Sequence, residues 1–393
     1  MCKQLSAEIR ICIDASNILG GGGVTHLVSI LNNHKNKDDF NLKVFVFGRA
    51  NVLEKIDTEP WLVKKTNRFI NGNALLRFYW QKFRLKSEAE CLNCDLLFSP
   101  GGRNNSKFRP FVTMSRNLLP FEAKEIHRYR SPIFIAKMHI LRFMQIDSMK
   151  KAAAVIFLNQ SAKIHINQFI KIDDNRQKII PHGVNNIFRH SPRVQLQMKQ
   201  AKGERNFKLI YVSDVAPYKN HEALIEGLQL LRKQFTNFEL ILIGNGTLTE
   251  VDRFRKSKKN AEHDHLNWIT VMPNLNQAEI SSILKEADVG VFASSCENMP
   301  NILLEKMAAG LPIVSADYPA MRELLGDTGT FFDHRYPVTI STQIMRFLQD
   351  EEVREKSALE NHSIASRYTW ERCANDTFDF LLQIVNDQRR NND

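Results

Sequence analysis

Short apolar runs alternate with amphipathic stretches along almost the whole chain. Ile9–Ala15 is strand-like, and Val24–Leu31 repeats apolar residues at helical spacing. Asn41–Phe47, Asp95–Ser99, Phe111–Ser115, Ala153–Leu158 and Lys178–Ile180 read as further strands. A polar, basic segment from about His190 to Asn206 interrupts the pattern, and a second series follows it. That series runs strand Lys208–Ser213, helix His221–Phe235, strand Phe238–Gly244, strand Trp268–Met272, helix Gln277–Glu286 and strand Val289–Ala293. Helix Pro300–Ala309, strand Pro312–Ser315 and a short strand Gly329–Phe332 complete it. Such alternation predicts α/β architecture, with parallel sheets covered by helices on both faces. Ligand sites in such sheets lie at the carboxyl ends of the strands.

The length of 393 residues suits two domains. The break in the pattern places them at residues 1–195 and 196–370, with residues 371–393 as a helix packing back on the first domain and ending in a polar tail. Hydrophobic residues make up 43% of the chain, enough for a core in each half. A net charge of +11 favours anionic partners, such as nucleotide phosphates or an acidic lipid surface. Nothing resembles a zinc finger, an aromatic RNA-binding motif or a basic recognition helix, which argues against nucleic acid. The six cysteines include one CxxC, Cys91 and Cys94, without a second pair or histidines at zinc-site spacing, so both thiols are expected in the core. With no signal-like opening and no apolar run of membrane-spanning length, a cytoplasmic protein is expected.

Four places carry candidate chemistry. After the first strand, Gly20–Gly23 stand before a helix, so backbone amides can approach an anion at the helix start; a flexible loop is the plain alternative. Beyond strand Val289–Ala293, Glu297 falls on a loop, Pro300 suits a helix start, and Glu305 lies about one and a half turns in. Two carboxylates in one crevice can hold sugar and ribose hydroxyls, although a solvated loop Glu and a dipole-favoured helical Glu would look the same. After strand Lys208–Ser213 stand the carboxylate of Asp214 and the cation of Lys219, for which a surface lysine is the plain alternative. Arg116 and Asn117 follow strand Phe111–Ser115, where a guanidinium can bind phosphate or form a structural ion pair.

The text from Glu297 to Val314, with Glu297 and Glu305 seven residues apart, resembles the E-x7-E region of glycosyltransferase family 4, and Pro319–Gly326 and Gly329–Asp333 match as well. The resemblance runs from Ile9 to about Phe380. It implies a GT-B fold, two Rossmann-like doubly wound domains facing a central cleft, and a retaining transferase using a nucleoside-diphosphate sugar. On that analogy Glu297, Lys219 and Arg116 are catalytic. Gly21, Gly22, Gly23, Ser213, Gly244, Asn298, Met299, Pro300, Asn301, Ile302 and Glu305 bind the donor. Asn117 and Thr25 fall on the acceptor side. The sequence departs from the family at Asp214, where an Arg is usual, and at Arg116–Asn117, where His-Asp is common.

No Asp-x-Asp sequence occurs, so no metal or other cofactor is expected. The acceptor implied is a saccharide or lipid-linked glycan of bacterial surface polysaccharide. Arg77–Lys86 and Ile133–Arg142 mix aromatic or apolar bulk with cations, and suit either an anionic membrane surface or a core-facing helix with basic solvent positions. Two other functions stay open: a GT-B nucleotide-sugar epimerase, and a nucleotide-sugar-binding protein without activity, for which Asp214 is the best support.

Overall fold

The computed structural model describes residues 8–35, 41–198, 205–257, 266–273 and 275–392. Cys2 and residues 199–204 of the polar segment lie outside the described residues. The chain forms two compact units. The first runs up to Phe121, resumes for Ala136–Gly183 and takes up the chain from Thr369; the second comprises Glu122–Ile135 and Val184–Tyr368.

The first unit is built on seven parallel strands: β1 (Ile9–Asp14), β2 (Leu42–Phe47), β3 (Leu62–Lys65), β4 (Leu96–Ser99), β5 (Phe111–Met114), β6 (Ala154–Phe157) and β7 (Gln177–Ile179). Their order is β3-β2-β1-β4-β5-β6-β7, so the winding reverses between β1 and β4. Ile11, Ile13, Val44, Leu97, Val112 and Ile156 are wholly buried, because helices cover both faces of the sheet. Each such side chain contributes roughly 1.5–3 kcal/mol. The helix Gly21–Asn33 buries His26, Leu27, Ile30 and Leu31 at helical spacing and packs against the helix Trp370–Asn392.

The pattern of apolar positions does not reveal β3. It is a four-residue edge strand whose last two residues are Lys64 and Lys65, and charge of this kind protects an edge from further pairing. The expected core burial of the CxxC thiols is corrected. Cys91 is exposed at the end of the helix Leu85–Cys91 and Cys94 is half-buried, since both precede β4 rather than lie within it.

The second unit has six parallel strands: β8 (Phe207–Val212), β9 (Phe238–Ile243), β10 (Ile269–Met272), β11 (Val289–Phe292), β12 (Ile313–Ala316) and β13 (Thr330–Phe332). The order β10-β9-β8-β11-β12-β13 reverses between β8 and β11. In a doubly wound sheet, such a switch point opens a crevice at the strand ends. Lys219 follows β8 and Glu297 follows β11, so both candidate catalytic residues of this unit flank its switch point.

Candidate functional site

The crevice of the second unit is built from two loops tied to each other. After β8 the chain turns through a short 3-10 helix, Pro217–Lys219, and enters the helix His221–Arg232. Asn220 makes that entry in the left-handed conformation, φ 55°, which costs a non-glycine residue on the order of 1 kcal/mol. Its side chain recovers the cost by donating to Ala293 O at 2.7 Å and to Tyr218 O at 3.1 Å. After β11, Ser295 N donates to Tyr218 O at 2.8 Å. Beneath both loops, the Tyr211 hydroxyl donates to Lys219 O at 2.7 Å and meets Ser294 Oγ at 3.3 Å.

This scaffold brings Lys219 and Glu297 together. Nζ of Lys219 pairs with Oε1 of Glu297, each side chain being 15% exposed. Burial opposes the Lys219 ammonium, but the Glu297 carboxylate outweighs it and holds the lysine pKa above its ordinary value. The pair sets a cation and a carboxylate side by side at the carboxyl ends of β8 and β11.

Glu305 lies on the helix Asn301–Ala308, whose cap is Pro300. Burial raises its pKa from 4.5 to about 7, and the neighbouring Lys306 only partly counteracts this. Among the described residues, its carboxylate meets no hydrogen-bond donor. Lys306 is fully buried in the opposite direction. Its stem passes Gly290, Nζ donates to Val291 O at 2.6 Å, and the ammonium sits over the Tyr211 and Phe292 rings at 5.4 and 5.6 Å. Burial lowers its pKa to about 7.

Asn298, Met299 and Pro300 are buried, while Asn301 and Ile302 are half-buried at the helix start. Ser213 closes β8 with its hydroxyl on Asp214 O at 2.9 Å. The Asp214 carboxylate accepts from Asn245 N at 2.8 Å and so fastens the neighbouring loop after β9. Gly244 in that loop has φ 144°, and a Cβ there would run into the Ser213 carbonyl. Asp214 therefore fastens one loop to the next.

In the first unit, Gly21–Gly23 form the opening turn of the helix Gly21–Asn33 rather than a loop ahead of it, and Thr25 lies on its first turns. Arg116, after β5, packs against this turn: a Cβ on Gly23 would lie 3.2 Å from its Nη1. Burial lowers the Arg116 pKa to about 10. Among the described residues its guanidinium has no hydrogen-bond acceptor and no carboxylate partner, so the structural ion pair is not there. Asn117 is exposed and accepts from Leu119 N at 3.1 Å, a local turn cap.

Residues 194–361 match the model of Glycosyl transferases group 1. The chain is 25% identical over 169 residues to the O-antigen chain mannosyltransferase B of Escherichia coli, covering 43% of this chain and 44% of the relative. The chain spans about half the length of the curated relatives it matches. Its fold is similar to Anabaena Alr3699/HepE in complex with UDP, with a TM-score of 0.68 and 17% identity over 95% of this chain and 100% of that one. WaaG, a glycosyltransferase involved in lipopolysaccharide biosynthesis, is similar with a TM-score of 0.64 and 12% identity over 93% and 98% of the two chains. The two parallel-sheet units and these likenesses show the GT-B fold that the resemblance implied.

Several residues of the site have no sequence signal of their own. Glu122, Glu125 and Arg128 precede the polar segment by some sixty residues, yet they pack in the second unit: Glu122 Oε1 accepts from the Tyr318 hydroxyl at 2.7 Å and Glu125 Oε1 accepts from Ser295 Oγ at 2.9 Å. Asn220 stands directly before a helix but makes no side-chain cap there, its amide donating instead to Tyr218 O and Ala293 O.

Proposed function

We propose that this chain is a retaining glycosyltransferase that moves a sugar from a nucleoside-diphosphate sugar to a saccharide or lipid-linked acceptor of a bacterial surface polysaccharide. The observation that carries the reading is the ion pair of Lys219 and Glu297 at the switch point of the second unit, from residues 78 positions apart. Lys219 neutralises charge growing on the departing diphosphate, and Glu297 holds hydroxyls of the transferred sugar. Glu305 takes ribose hydroxyls. The amides at the start of the helix Asn301–Ala308 face the diphosphate. Arg116 and the opening turn Gly21–Gly23 form a second anion site, since a buried guanidinium at a helix start favours phosphate. The relatives' names, which concern O-antigen and lipopolysaccharide, support the polysaccharide assignment.

No metal enters the proposal. Catalysis rests on placement of charge around a positive sugar and a negative leaving group, and the leaving phosphate oxygen takes the acceptor proton on the face it departs from. Transfer is assayed with a panel of nucleoside-diphosphate sugars, ranked first by thermal shift, because a cognate donor raises the melting temperature. Glu297→Ala at the wild-type rate would remove the site assignment.

Membrane association belongs to the same proposal. The helix Ala74–Phe83 buries Arg77, Trp80 and Gln81 but exposes Leu75, Leu76, Phe78, Tyr79 and Phe83, beside Lys82. Such a surface suits an anionic bilayer, where a lipid-linked acceptor resides. No helix of the described residues is long and apolar enough to cross a membrane. Flotation with phosphatidylglycerol vesicles at low salt tests the contact, and absence of binding would exclude it.

A further inference from the structure

The turn that carries Lys219 and the loop that carries Glu297 are gripped from outside by one ion pair. Glu125 lies on the short helix Ala123–His127, and Arg128 is the residue that ends it. Nη1 of Arg128 donates to Glu125 Oε2 at 2.8 Å and to Ser295 Oγ at 3.3 Å, and Nη2 donates to Asn220 Oδ1 at 2.7 Å. Ser295 Oγ, at 2.9 Å from Glu125 Oε1, lies also 3.2 Å from Tyr218 O. The pair thus holds Asn220, the residue next to Lys219, and Ser295, two residues before Glu297. Glu125, Asn220 and Ser295 are 8%, 4% and 3% exposed, while the Arg128 side chain, 39% exposed, reaches them from the surface.

An ion pair of a buried carboxylate and a half-exposed guanidinium is weak evidence for stability, because desolvation and solvent screening cancel much of its attraction. A five-residue helix does not need one. What this pair does supply is a fixed distance between two loops, at the point where each presents a charged side chain to the crevice. Asn220 shows the same thing from the other side. Its left-handed backbone is held by three side-chain hydrogen bonds, and Arg128 makes one of them.

We infer that Glu125 and Arg128 are positioning residues, which clamp the Asn220 turn and the Ser295 loop and so set the spacing of Lys219 and Glu297 for sugar transfer. The inference rests on the transfer reaction proposed above. Neither residue touches the substrate; the effect passes through the two loops.

The test uses the full chain with Arg128→Met, Glu125→Gln and the double variant. Arg128→Met leaves a buried carboxylate uncompensated and lowers the melting temperature, while the double variant removes both charges and restores it. A clamp predicts that kcat stays about tenfold to a hundredfold below wild type in the double variant even with the melting temperature recovered, with KM for the donor within about threefold. A structural pair predicts that kcat recovers with the melting temperature, and that result overturns the inference. If Arg128→Met fails to fold, the double variant alone decides. Wild-type chain that neither binds UDP, GDP, ADP or dTDP in calorimetry nor transfers sugar would overturn the proposed function, and the clamp with it. Wild-type turnover matched by the double variant overturns the clamp alone.

Discussion

Glu305 offers a quantitative test of the second unit. Its carboxyl holds its proton to about pH 7 in the folded chain, against 4.5 for an ordinary glutamate, because burial disfavours the charged form. Between these values the native state binds more protons than the unfolded one, so stability falls as pH rises through the window and the full penalty is present above it. A shift of about 2.5 units at about 1.36 kcal/mol each gives about 3 kcal/mol. Glu305→Gln keeps the shape and removes the charge. Relative to wild type it should therefore gain less than about 1 kcal/mol at pH 5 and about 3 kcal/mol at pH 8. Lys306 does not confuse the comparison. With a pKa of about 7 it is charged at pH 5 and neutral at pH 8, and losing the Glu305 charge only moves it lower. Urea unfolding of both proteins at the two pH values measures the difference. Equal stabilities at pH 8, or a Glu305 carboxyl titrating near 4.5 by NMR, would refute the picture of a donor-free acid held out of water. The same variant should weaken nucleoside-diphosphate-sugar binding by about tenfold, the worth of one hydrogen bond to a charged acceptor.

Lys219→Met should reduce transfer by about a hundredfold or more, measured as kcat with saturating donor, because the developing phosphate charge loses its cation. Asp214→Asn should keep kcat within about threefold of wild type, since an amide oxygen still accepts from Asn245 N, whereas Asp214→Ala should cost about 1 kcal/mol in urea unfolding. Gly244→Ala should destabilise the chain by more than about 1 kcal/mol in the same assay, because φ 144° excludes a side chain and Ser213 O occupies its place. Arg116→Met should weaken nucleoside-diphosphate binding in calorimetry without lowering the melting temperature, since among the described residues the guanidinium has no partner to lose.

Much of this protein is written in local sequence. Short, largely apolar runs such as Ile9–Asp14 and Phe207–Val212 read as buried strands, and their alternation with helices points to parallel sheets. The placement of the E-x7-E text is likewise local, because a loop acid, a proline at a helix start and an acid on that helix are neighbours along the chain. The sequence is silent where partners are distant. Only the sheet order sets β8 beside β11 and so brings Lys219 to Glu297. Only tertiary packing turns Asp214 away to fasten Asn245, leaves Arg116 without a carboxylate, and recruits Glu125 and Arg128 to a unit whose main stretch begins at Val184. Apolar periodicity reports which face a residue buries. Partners of a buried charge are fixed by where strands end in space, and no window along the chain contains that information.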